Sequence, residues 1–155
     1  SMSDERFIPF LREQLQNSSI PPGRLAFEIT ETAMVSQFGN VRRLMEEFRE
    51  QGCQFFLDDF GSGYASYSYL KNFPVDVVKI DGVFVREIHR DDVSYAMVKS
   101  ITEVAHHMGK QVIAEYVESE AILNALRKLE VDYAQGYAIG HPTPLKQLSL
   151  EQPLV

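Results

Sequence analysis

The residues that could do chemistry in this chain fall at one kind of place, directly after short apolar runs. Glu28, Asp58, Asp59, Asp81 and Glu115 all lie there, Gln135 occupies an equivalent position, and Lys79 sits one residue before the end of its run. If these runs are parallel strands, their carboxyl ends share one rim, the face on which α/β folds build active sites. Any one such acid could instead cap a helix or face water. Asp58-Asp59 is different: it follows Phe55-Phe56-Leu57 and leads straight into Phe60-Gly61-Ser62-Gly63-Tyr64, and two adjacent acids cannot both cap one helix. The glycines allow the backbone angles that close a loop tightly over a ligand. Carboxylates gathered on one rim repel one another unless cations neutralise them, so the pattern implies a metal site. All-oxygen ligands suit Mg²⁺, Mn²⁺ or Ca²⁺ rather than a thiolate zinc site.

The elements that would position these groups alternate regularly. Phe7, Phe10, Leu11 and Leu15 give a helical stripe over 6–16, ended by Pro21-Pro22-Gly23. Val41, Leu44, Met45 and Phe48 predict a helix over 38–51 with Gly52 as its stop. A short helix is expected near Tyr67–Lys71, a longer one over 93–108 closed by Gly109, and another through Ile122, Ala125, Leu126 and Leu129. Between them, near-continuous apolar runs predict strands at 24–30, 55–59, 75–80, 111–115 and 131–134, with a sixth near 137–140. This is a βα repeat with a parallel sheet. Because a (β/α)₈ barrel usually takes about 250 residues, the pattern reads as an open α/β sheet or an incomplete barrel.

Five segments in register carry a family resemblance. Asp58-Asp59-Phe60-Gly61-Ser62-Gly63-Tyr64, continuing through Ala65-Ser66-Tyr67-Ser68-Tyr69-Leu70, resembles the DDFGxGYSS segment of EAL domains. Glu28-Ile29-Thr30-Glu31 resembles the family's EITE and Lys79-Ile80-Asp81 its KID. Ile113-Ala114-Glu115-Tyr116-Val117-Glu118 resembles its IAEGVE, and Gln135-Gly136-Tyr137 its QGY.

The resemblance implies an EAL-type (β/α)₈ TIM barrel, incomplete here with its first two strands missing, and hydrolysis of cyclic di-GMP to linear pGpG with two Mg²⁺ or Mn²⁺ ions. By that likeness Glu28, Asp58 and Asp59 are metal ligands. Lys79 contacts the attacking water, Glu115 is general base or outer ligand, and Gln135 bonds near the metal-bound water. Glu31, Glu118 and Asp81 support the loops, and Tyr137 is a candidate ligand-stacking ring. Residues 1–2 read as a tag and start remnant and 3–155 as the C-terminal two-thirds of one EAL domain.

The departures from the family pattern matter as much. The namesake Glu-Ala-Leu strand and the metal-binding Asn that follows have no counterpart; Glu120-Ala121-Ile122 opens a helix near the wrong end. Tyr116 stands where the family has Gly. The expectation is therefore an active parent phosphodiesterase and an inactive fragment whose open strand edges pair with a second copy. A degenerate domain that senses cyclic di-GMP or regulates a neighbour is the alternative. Fusion to other signalling domains is expected in the parent.

Composition agrees with a globular domain of this kind. The 155 residues carry a net charge of −7, which argues against a nucleic-acid polymer as partner, and one cysteine, Cys53, which fits a reducing compartment. Neither a membrane-length apolar run nor a signal-like N-terminus is present, so a cytoplasmic domain is expected. His106, His107 and His141 lack partners at metal-ligand spacing and are read as non-catalytic.

Overall fold

The computed structural model describes residues 6–36, 38–63 and 67–144. Five parallel strands form one sheet in sequence order: β1 (Ala26–Thr30), β2 (Gln54–Phe60), β3 (Val77–Ile80), β4 (Gln111–Ala114) and β5 (Tyr133–Ala134). The helices are α1 (Phe7–Asn17), α2 (Glu31–Ser36), α3 (Phe38–Glu50), α4 (Tyr67–Asn72), α5 (Gly82–Val85), α6 (Asp92–His107) and α7 (Glu120–Lys128). Each strand is thus followed by at least one helical segment before the next, the right condition for parallel pairing. Among the described residues no helix is long and apolar enough to cross a membrane.

Alternation along the strands divides the sheet into two chemically distinct faces. Phe27, Ile29, Phe55, Leu57, Val78, Ile80, Val112 and Ala114 point one way and belong to the core. Against them α3 lays Val41, Leu44, Met45 and Phe48, all buried, and the Phe48 ring stacks on Phe27 with centroids 5.7 Å apart. Burying each such side chain contributes roughly 1.5–3 kcal/mol, so this face fixes the register of the sheet. A one-residue slip of β1 or β2 would turn Glu28 or Asp58 into the core and expose its apolar neighbours.

The helix ends follow from local chemistry. Gly52, with φ 102°, closes α3, its amide bonding to Arg49 O at 2.8 Å. Asp91 caps α6 through Ser94 N at 2.8 Å, and Ser119 caps α7 through Ile122 N at 3.3 Å, which confirms that Glu120-Ala121-Ile122 opens a helix.

Several expectations need correction. Residues 137–140 form no strand: Ile139 and Gly140 both donate to Gly136 O, at 2.9 and 3.1 Å, making a turn. On α1, Phe10 is exposed and Ile8 packs inward beside Leu11 and Leu15. β3 starts at Val77, and the Asp76 side chain just before it accepts from Phe55 N and Arg49 Nη2, each at 2.8 Å. The short helices α2 and α5 are additional, and both lie at the rim described next.

Candidate active site

The polar face of the sheet brings together residues spread over nearly ninety positions. Glu28 on β1, Asp58 on β2 and Lys79 on β3 stand on the face opposite the core, and Glu115 directly follows β4. Lys79 is only 4% exposed, yet its ammonium is well partnered. Nζ lies 2.8 Å from Asp58 Oδ1, 2.9 Å from Glu115 Oε1 and 3.2 Å from Glu28 Oε1. Burial opposes the charge on Lys79, but Asp58 and Glu115 together outweigh it and hold the ammonium well above the ordinary lysine range. Lys79 therefore stands as an ammonium among these acids.

The two adjacent acids reach the same rim through an irregularity in β2. Leu57 pairs with Val78 and Phe60 with Ile80, so the stretch from Leu57 to Phe60 holds one residue more than its partner strand. In a regular strand Asp58 and Asp59 would face opposite sides. Instead Asp59 takes a left-handed backbone, φ 56°, a conformation that Asp tolerates better than most residues. This bulge turns Asp59 toward Asp58, as bulges beside active sites do. Asp58, Asp59 and Glu115 each offer a carboxylate oxygen, and the three lie within 4.8 Å of one another. Glu28 stays outside this trio, half-exposed and touching Lys79.

The electrostatics are those of a site short of positive charge. Burial first, then the charges of Asp58 and Asp81, push the Asp59 carboxyl above its usual range. Burial also raises Glu115, with Lys79 pulling the other way. Asp58 Oδ1 is fully buried and faces the Lys79 ammonium at 2.8 Å. The donor set, three carboxylates and no sulfur or imidazole, fits Mg²⁺, Mn²⁺ or Ca²⁺.

Glu31 secures the loop that follows the acids. It opens α2, is 2% exposed, and accepts the Gly61 amide at 3.0 Å. Gly61 has φ 99°, and a Cβ on Gly63 would come within 2.6 Å of Glu31 Oε1; both glycines are required by this close approach. Ser62 completes the turn by donating its hydroxyl to Asp59 O at 2.8 Å. Tyr64, Ala65 and Ser66 lie outside the described residues. Replacing Glu31 with Ala removes a charge-assisted acceptor and should cost about 1–3 kcal/mol. Hydrogen exchange at the Gly61 amide should quicken accordingly, and unchanged exchange would show that the loop is held by other means.

Across the rim, the Glu115–Glu118 segment is pinned to the turn after β5. Gln135 N donates to Ala114 O (2.9 Å), Val117 N to Gln135 O (3.0 Å) and Ala138 N to Val117 O (2.9 Å). The two segments line a cavity of about 390 Å³ with Glu115, Tyr116, Glu118, Gln135, Gly136 and Tyr137 at its walls. Gln135 and Glu118 thus flank Glu115 without entering the acid trio. Tyr137 is 62% exposed and stacks on His141 at 4.4 Å. Asp81 is the N-cap of α5, bound to Val83 N at 2.8 Å, and its charge helps to raise the Asp59 carboxyl. His106 pairs with Asp132 and His107 with its own helix.

A parallel sheet with helical crossovers, carrying acids and one buried lysine at its strand ends, is a segment of an α/β barrel with a metal-type rim. The family model of the EAL domain matches residues 1–142, and the chain belongs to that family. Cyclic di-GMP phosphodiesterase PdeB of Shewanella oneidensis is 43% identical over 145 residues, 94% of this chain and 17% of that protein. The PaMucR phosphodiesterase in complex with c-di-GMP superposes with a TM-score of 0.87 at 30% identity, over 94% of this chain and 59% of that one. A manganese and cy-diGMP complex of BlrP1 from Klebsiella pneumoniae gives a TM-score of 0.81 at 29% identity, over 90% and 35% of the two chains. The chain therefore spans under a fifth of PdeB, and its fold is the EAL-type (β/α)₈ barrel in part, five adjacent strands of the ring.

Proposed function

We propose that the protein carrying this chain hydrolyses cyclic di-GMP to linear pGpG, using two Mg²⁺ or Mn²⁺ ions held in part by Glu28, Asp58 and Asp59, with Glu115 as general base or outer ligand. The observation that carries the reading is the convergence of Asp58, Asp59 and Glu115 beside the buried Lys79. The ions, when bound, would activate a water and neutralise charge on the phosphoryl oxygens. The chain's own groups divide the remaining work. Lys79, fixed as an ammonium, steers an anionic nucleophile and phosphate toward the rim. Glu115, raised by burial, is suited to accept a proton, and Gln135 can orient a water beside it. Glu31 holds the Asp59–Gly63 loop in place.

Among the described residues β1 has no partner on its outer side, which leaves the rim open there. Self-pairing along that edge is the dimer this chain would form. The 155 residues alone are accordingly expected to bind the dinucleotide with negligible turnover, while the full-length parent hydrolyses it. Chromatography of the products in Mg²⁺ or Mn²⁺, parent beside chain, tests this. Binding by the parent without turnover in either ion would overturn the hydrolase reading in favour of a cyclic di-GMP sensor.

A further inference from the structure

Tyr116 carries a feature that the acid site does not explain. Its backbone lies in the left-handed region, φ 56°, where a bulky side chain is disfavoured and a glycine would sit without strain. Strained residues of this kind persist where the surroundings over-determine them, and they gather at ligand sites. The Tyr116 ring is held from one side by α5. It packs against Gly82, where any Cβ would collide with its Cγ and Cδ2, and the Arg86 guanidinium sits 4.1 Å from its centroid. Gly82 and Arg86 are one helical turn apart, so the ring lies flat across that turn. Half of its surface nonetheless remains exposed. It forms a wall of the cavity that Glu115, one member of the acid trio, also lines.

We infer that Tyr116 is a stacking platform for a purine base of the bound nucleotide, with Arg86 fixing the ring from behind. This rests on the cyclic di-GMP reading above and assigns one of that ligand's bases to the Tyr116 wall. The geometry favours the role in three ways. The cavity, about 390 Å³, is within the range of small-molecule sites. A phosphate at the acid trio would place the attached nucleoside beside Glu115, whose neighbour in sequence is this ring. The cation on the far face pre-orients the ring, so little side-chain freedom is lost when a base stacks on it.

The experiment is a calorimetric titration of the full-length parent with cyclic di-GMP in Ca²⁺, with thermal melts of each variant run beside it. Tyr116→Phe should bind within about twofold of the unchanged protein, and Tyr116→Leu about tenfold or more weaker, the range of base–aromatic stacking. Tyr116→Gly should weaken binding as much while melting no lower, because the backbone strain goes with the side chain. Equal affinity for the Leu and Tyr proteins would overturn the stacking role and leave the cyclic di-GMP reading standing. No binding by the unchanged protein would defeat that reading and the stacking role with it.

Discussion

Lys79→Met is expected to unfold this domain more readily than any single removal of an acid around it. Methionine keeps the length and fills the hole, so what is lost is the charge. Glu28, Asp58 and Glu115 all lie within 3.2 Å of the ammonium, and without it they face one another across a site that is largely closed to water on the lysine side. Removing one partner from a buried ionic cluster typically costs about 3–5 kcal/mol, which corresponds to a fall of roughly 6–20 °C in melting temperature for a chain of this size. The pH dependence has a definite sign. Burial already raises the Glu115 carboxyl and Lys79 holds it down, so with the cation gone the penalty is present once Glu115 ionises and fades as pH falls through its raised pKa. The deficit should therefore be larger at pH 8 than at pH 5. Divalent ions should repair it, because a metal bound only by the folded state adds stability in proportion to its occupancy, and an uncharged thioether does not compete for the same oxygens. Melts in EDTA and in millimolar Mn²⁺ would decide the matter. Equal melting temperatures for the two proteins in EDTA would mean that Lys79 does not balance these acids.

That cluster was legible in the sequence because two simple rules place it. Strand alternation puts Glu28, Asp58 and Lys79 on the face opposite Ile29, Leu57 and Val78, and parallel pairing brings their carboxyl ends to one rim. The bulge in β2 was not legible, since it is a property of two strands: only the pairing of Leu57 with Val78 and of Phe60 with Ile80 reveals the extra residue. Its one trace in the sequence is the doubled acid itself. The helices α2 and α5 span six and four residues, too few to show a 3.6-residue period, and their start signals, Thr30 and Asp81, read equally well as strand ends. The failed strand at 137–140 has a related cause. Tyr137 and Ile139 alternate with small residues as a strand would, but β5 ends at Ala134 and the Gly136 carbonyl draws the chain into a turn. Glu115 was expected as a base or outer ligand; its place beside Asp58 and Asp59 depends on the register that pairs Ala114 with Ile80 and on the bulge in β2, which no single-strand pattern contains.

Gly136→Ala should damage the site from a position that touches none of the acids. A Cβ at Gly136 would fall far inside contact distance of Val117 N, C and O. These are backbone atoms held by bonds on both sides, Val117 N to Gln135 O and Ala138 N to Val117 O, so no side-chain rotation can make room. The two segments must separate. Overpacking alone costs about 1–3 kcal/mol, and loss of the two backbone hydrogen bonds adds about 1 kcal/mol each. Separation also carries Glu115 away from Lys79 and opens the cavity between Tyr116 and Tyr137, so affinity for cyclic di-GMP should fall together with stability. Gly140→Ala supplies the control, because a Cβ there meets nothing within 4 Å and exposed substitutions of that kind usually stay within about 0.5 kcal/mol. Urea melts of the two alanine variants measure the difference directly. Should Gly136→Ala unfold at the same urea concentration as Gly140→Ala, the contact between the two segments is looser than these distances require, and the glycine in Gln135-Gly136-Tyr137 would have to be explained by something other than close backbone approach.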